Sequence, residues 1–272
     1  MHQRLENTCK RASSGDQKLL MTALVAGDPY LEATLEYMRV LADNGADLIE
    51  LLFPFSEPTY HGAVIQRASA RAIREEVTWE ELIELGREFR QTHQTPVFFS
   101  SYYNRILARG VDDFVDFVDE ADFDGAMVTD LPFEEGDRLR SRLAERDLIL
   151  PSAVAPTTTT ERFRRIESGS EGFLIWTGHS GGDPTISSEQ FADRMREFHR
   201  LSDLPILASM KISTGQDAEK VVRDCDGALV GSAVVWLIEG RGPDVEESLA
   251  QFVSELRDGV DGTLPAPDSE QE

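Results

Sequence analysis

The sequence predicts an α/β protein folded as a closed (β/α)8 TIM barrel. Three observations carry that expectation. Eight short apolar, β-rich runs alternate with helical patterns along the 272 residues. The runs are continuously apolar rather than alternating, as strands of a parallel sheet buried on both faces are. Eight β/α units in about 250 residues are the content of such a barrel. A doubly wound open sheet is the competing fold, but it usually has fewer strands. The first βα turn, "AGDPYLEAT", also lacks the glycine pattern of a dinucleotide site.

The first run is "LLMTALVAG", Leu19 to Gly27. The amphipathic stretch "LEATLEYMRVLADNG" follows and stops at Gly45, as a helix should. "ADLIELLF" is the second strand, leading through "VIQRASARAIREE" and "TWEELIELGREFRQT" to the third, "TPVFFSSYY". The acidic run Asp112 to Asp124 reads as a solvated helix face with Phe114 and Phe117 turned inward. "DGAMVTDLP" is the fourth strand. "LILPSAVAP", after the helix "EEGDRLRSRLAERD", is the fifth. "EGFLIWTG", "LPILASMK" and "GALVGSAVV" complete the set. Residues 17–259 are expected to form one barrel domain. Residues 1–16 and 260–272 are read as polar, mobile segments outside it.

Composition excludes several classes of function. The formal charge of -23 repels nucleic acid and anionic membranes, so neither is an expected partner. Of 27 basic residues only four are lysines, at 10, 18, 211 and 220, leaving 23 arginines. Such an acidic, lysine-poor surface resembles proteins that work in high salt, where screening relieves self-repulsion. A mean hydropathy of -0.32, no apolar run near bilayer length and no apolar signal-peptide centre point to a cytoplasmic protein. Cys9 and Cys225 are far apart and in no ligand-like spacing, so a disulfide framework and a metal site are not expected.

In this fold the active site lies at the C-terminal ends of the strands. Glu50 is the most informative residue there. It interrupts Leu48, Ile49, Leu51 and Leu52, where an unpaired carboxylate costs several kcal/mol unless protonated or partnered. Desolvation should raise its pKa towards the range useful for proton transfer. A structural acid satisfied by backbone donors or an arginine is the bland alternative. Tyr102, Asn104, Asp130 and Lys211 lie at other strand ends as candidate substrate ligands. Gly231 and Ser232, in "VGSAVV", have the form of a phosphate cradle at a helix N-terminus. Gly182, after strand six, brackets the same pocket. A tight strand-to-helix turn would explain those glycines equally well. His61 and His179 lie on candidate loops, where a histidine is most often an ordinary surface residue.

In order along the chain stand "AGDP", "ADLIEL" followed by "PFSEP", "VIQRAS", "YYN", "DLP", "VAPTTT" and "VGSAVV". Together they resemble the tryptophan synthase alpha chain family over about residues 18–240. The resemblance implies a cofactor-free retro-aldol cleavage of indole-3-glycerol phosphate to indole and glyceraldehyde 3-phosphate. It assigns the proton-transferring acid to Glu50 and implies a second group, holding the indole N–H, at His61. It also implies a beta chain partner that takes up the indole and contacts the loop after strand two. Five departures mark this sequence. His61 stands where the family has an acid, and Lys211 and Leu52 stand where it has glycine. The loop after strand six reads "WTGHSGG", without the family's arginine, and "EPTYHGA" replaces the usual "DPLADGP". Two alternatives therefore stay open: an aldolase-type lyase acting on another phosphorylated or carboxylated substrate, with Lys211 as a Schiff-base amine, or a non-catalytic binding subunit.

Overall fold

The computed structural model describes residues 1–264 apart from 16, 181, 182, 185, 241 and 243, with backbone only at 179, 180, 183 and 184. The strands are β1 (Leu19–Val25), β2 (Leu48–Leu52), β3 (Val97–Ser101), β4 (Gly125–Val128), β5 (Ser152–Val154), β6 (Leu174–Thr177), β7 (His179–Ser180), β8 (Asp183–Pro184), β9 (Ile206–Ser209) and β10 (Gly227–Val230). The helices are α1 (Gln3–Ser13), α2 (Leu31–Asp43), α3 (Ala63–Ala72), α4 (Trp79–Arg90), α5 (Tyr103–Arg109) and α6 (Val111–Glu120). The remainder are α7 (Asp137–Ala144), α8 (Thr160–Ser168), α9 (Ser188–His199), α10 (Gly215–Val222), α11 (Ser232–Glu239) and α12 (Val245–Asp261).

All eight expected strands form one parallel sheet in the order β4-β3-β2-β1-β10-β9-β6-β5. Its edges meet at a parallel bridge between Gly125 and Ile149, where Ala126 N–H donates to the Ile149 carbonyl at 3.0 Å. The closure requires glycine: a Cβ on Gly125 would stand 2.1 Å from the Ile149 oxygen. The small antiparallel pair β7-β8 was not anticipated; two residues per strand carry too short a pattern to read.

Period-two alternation divides each strand between two cores. Leu19, Met21, Leu48, Phe98, Met127, Ile149, Phe173, Ile175, Leu207 and Leu229 fill the barrel interior. Leu20, Leu24, Ile49, Leu51, Val97 and Phe99 face outward against the helices. Phe114 and Phe117 are buried there, as expected for the inward face of α6. Asp124, the last acid of that run, departs from the solvated reading. It is fully buried, accepts from Val97 N–H at 2.9 Å and pairs with Arg4 at 2.8 Å.

Residues 1–16 also correct their expectation as a loose polar tail. Leu5, Cys9 and Ala12 share one face of α1 and join the interior core, closing the N-terminal end of the barrel. The C-terminal boundary moves slightly, because α12 continues to Asp261; residues 265–272 lie outside the described set.

Candidate active site

Glu50 lies in the middle of β2, two residues above Leu48 on the interior face. It is buried, and among the described residues it has no ion pair. Burial pushes its pKa from 4.5 up to about 7, opposed by a hydrogen bond with Ser100 of β3. At neutral pH the acid therefore populates both protonation states. Above it Leu52 packs with Val25 against Ile65 and Ala68 of α3. That apolar shelf stands on one side of the mouth.

The loop from Pro54 to Gly62 folds back over the barrel end. Its anchor is Tyr102, which follows β3 and is buried. The Tyr102 hydroxyl accepts from Tyr60 N–H at 3.1 Å and lies 3.0 Å from His61 Nδ1. Burial lowers the His61 pKa to about 4, so the imidazole is neutral at pH 7. The Tyr60 pKa is raised, by burial first and by the Glu50 charge as well. Thus Tyr60, His61 and Tyr102 are brought together by the loop after β2, while Glu50 lies on β2 beside Ser100 of β3. Ser100 does not stand out in the sequence, since a contact between neighbouring strands leaves no local signal.

The other candidates divide. Gly231 and Ser232 start α11, whose N-terminus has no side-chain cap, so its first amide groups remain available to an anion. The position of a Gly231 Cβ would lie 3.3 Å from that of Ala23, which fits a close backbone turn at the mouth. Asp130 is exposed and accepts from Tyr103 N–H at 2.7 Å, capping the start of α5. Its visible task is thus to hold the β3 and β4 loops together. Asn104 is exposed in the first turn of α5. Lys211 is exposed beyond β9, without the burial that a Schiff-base amine calls for. Gly182 and the His179 side chain lie outside the described residues.

A charged network supports the mouth from outside. Arg71 of α3 makes a two-pronged contact to buried Asp28, at 2.8 and 2.7 Å, and a third bond to Glu239 at 2.8 Å. Arg67 pairs with Glu239 as well, at 2.6 Å. The turn after β1, helix α3 and the end of α11 are tied together by these contacts. Asp28 belongs to the "AGDP" segment and Arg71 follows "VIQRAS" by two residues, but their pairing was not legible before folding. Among the described residues no group of three or more His, Cys, Asp and Glu side chains could hold a metal ion. No helix among them is long and apolar enough to cross a membrane.

The geometry agrees with what comparison with known proteins finds. The family model described as "Tryptophan synthase alpha chain" matches residues 9–261. The tryptophan synthase alpha chain of Marinobacter nauticus is 34% identical over 264 residues, covering 95% of this chain and 98% of that one. The Synechocystis protein of the same name is 37% identical over 245 residues, covering 89% and 93%. A crystal structure of tryptophan synthase subunit alpha from Legionella pneumophila superposes with a TM-score of 0.87 at 30% identity, covering 96% of this chain and all of that one. The chain belongs to the tryptophan synthase alpha chain family, lyases of tryptophan biosynthesis that cleave indole-3-glycerol phosphate.

Proposed function

We propose that this chain cleaves indole-3-glycerol phosphate with Glu50 as the proton shuttle and His61 as the acceptor for the indole N–H. The observation that carries the reading is a buried carboxylate without a counterion, its pKa raised to about 7. Such a group can give a proton and take one back within a single turnover. Protonated Glu50 delivers its proton to indole C3, making the ring an electron sink. Its carboxylate then accepts the proton of the side-chain hydroxyl as the bond from C3 to the glycerol carbon breaks. The bonding pair returns to the ring, indole and the aldehyde form, and Glu50 ends protonated as it began.

His61 can serve only in one tautomer. If Nδ1–H donates to the Tyr102 hydroxyl 3.0 Å away, Nε2 keeps its lone pair for the indole N–H. Tyr102 can accept from both Tyr60 N–H and His61, so it becomes the residue that sets the tautomer. A neutral imidazole lacks the charge of the family's carboxylate, which costs on the order of 1–2 kcal/mol, or about 5- to 30-fold in rate. The phosphate is assigned to the amides of Gly231 and Ser232, with Lys211 as a point cation and Tyr102, Asn104 and Asp130 at the rim. A tryptophan synthase beta chain is the proposed partner, meeting the loop after β2, and the cytoplasm the proposed compartment.

The test is indole release from synthetic indole-3-glycerol phosphate by the purified chain, alone and with a beta chain. Release that vanishes in Glu50→Gln supports the assignment. No release under either condition discards it. Borohydride trapping with carbonyl substrates is expected to fail, since Lys211 is exposed; trapping lost in Lys211→Arg would favour the aldolase alternative.

A further inference from the structure

Helix α11 ends on Glu239, an unfavourable place for a carboxylate. The C-terminal end of a helix carries the negative end of its dipole and favours cations, yet the last turn of α11 holds no basic residue. The cations come from α3 instead. Arg67 and Arg71 stand four residues apart on one face of that helix. Arg67 donates from Nε and Nη2 to the two Glu239 oxygens, at 2.7 and 2.6 Å. Arg71 adds a bond from Nη1 at 2.8 Å. Its Nε and Nη2 hold buried Asp28, in the turn after β1, at 2.8 and 2.7 Å. Val235 of α11 is buried in one cluster with Ile65, Ala68 and Ala72 of α3. The two helices thus share an apolar seam, fastened by ion pairs where α11 ends. Each also starts beside a group assigned to substrate. α11 begins with the uncapped amide of Ser232, and Gln66, near the start of α3, donates to the His61 carbonyl at 2.8 Å.

We propose that Glu239 is a positioning residue for the phosphate site: clamped by Arg67 and Arg71, it fixes the tilt of α11 on α3. The amides at the start of α11 and the His61 imidazole beside α3 then keep one separation. α11 is about 12 Å long at ~1.5 Å per residue, so a tilt of about 5° shifts its first amides by about 1 Å. A shift of that size spoils hydrogen bonds to a phosphate oxygen. The Arg67–Glu239 pair is partly exposed, with Arg67 half in solvent, so it adds little to global stability. Its effect lies in which orientation of α11 is populated, and affinity for an anion scales with that fraction. The proposal rests on the phosphate lying at Gly231 and Ser232.

The test compares binding of indole-3-propanol phosphate, which lacks the cleavable hydroxyls, with binding of indole-3-propanol, which lacks the phosphate. An exposed ion pair shifts a population by up to about fivefold, so Glu239→Gln and Arg67→Ala should each weaken the phosphate analogue about three- to fivefold. Both should bind the alcohol as the parent does, with a Tm within about 2 °C of the parent's. In turnover the same variants should raise KM by that factor and keep kcat, since ground state and transition state share the phosphate contacts. Arg67→Ala should add nothing to Glu239→Gln, because both remove one bond. Arg67→Lys, which keeps a charge on the same face, should recover most of the loss. Ser232→Asp reports on the phosphate site itself. Weaker phosphate-analogue binding in Ser232→Asp but not in Glu239→Gln overturns the clamp and leaves the phosphate assignment standing. Parent-like binding in both variants removes that assignment and the clamp with it. Equal weakening of analogue and alcohol in Glu239→Gln makes Glu239 a general structural residue and also overturns the clamp. A loss confined to the phosphate analogue, without indole release from any variant, keeps the clamp and removes the lyase assignment.

Discussion

Replacing Glu50 by Gln keeps shape and removes the titration, which makes the buried acid measurable through folding alone. The carboxyl titrates near 4.5 in the unfolded chain and near 7 in the folded one. Between those values the native state holds more protons than the unfolded state, so stability falls as pH rises. The gap corresponds to about 3 kcal/mol at ~1.36 kcal/mol per pH unit, most of it lying between pH 5 and pH 8. Urea unfolding of both proteins at pH 5 and pH 8 gives the assay. The parent should lose about 2–3 kcal/mol more than Glu50→Gln between the two, because the other titrating groups cancel in the comparison. The variant should match the parent at pH 5 and exceed it at pH 8. Indole release by the variant should fall about 10²- to 10⁴-fold, the usual contribution of a positioned acid–base group. Parallel stability curves would refute the reasoning, since they would mean that Glu50 meets water or a cation in the folded chain.

Three further outcomes follow from the site. His61→Asp should raise indole release about 5- to 30-fold by restoring a charged partner for the indole N–H; unchanged turnover with intact analogue binding would remove His61 from the site. Ser232→Asp places a carboxylate where the α11 dipole welcomes it and a phosphate does not. The expected split is a KM raised about tenfold or more with an unchanged or slightly higher Tm, and a KM equal to the parent's would move the phosphate elsewhere. Arg71→Leu leaves Asp28 buried without its guanidinium, costing about 3–5 kcal/mol. Calorimetry should show the Tm falling by about 10 °C, at ~2–4 °C per kcal/mol; a change under 2 °C would show that Asp28 finds another partner.

The barrel was legible because its signals are local. Each strand is a continuous apolar run, and each helix carries its own period and stop. Glu50 was legible for the same reason, as a charge in a run that should bury one. The N-terminal helix was missed although Leu5, Cys9 and Ala12 have helical spacing. The charged residues between them gave the segment the composition of a tail, and only the open barrel end explains why that thin apolar face is buried. Asp130 was placed at a strand end by position, but its bond to Tyr103 N–H depends on where the neighbouring loop runs.

The two ends of the barrel treat buried charge differently, and the difference separates stability from chemistry. At the N-terminal end Asp124 has Arg4, Arg90 and the Val97 amide around it, and Asp47 has Arg257 and the Leu20 amide. Each carboxylate there is paid for by a cation and a backbone donor, and each ties an element to its neighbour. Glu50 lies in the same wall with a single hydroxyl as partner. Leucine in its place would spare the fold an ionised group at neutral pH, by the reasoning that favours apolar residues over strained buried charges. A carboxylate retained there is matched to a reaction that needs one proton given to a ring carbon and one taken from a hydroxyl oxygen. The same lack of a counterion that weakens the folded state keeps the acid able to give and recover that proton.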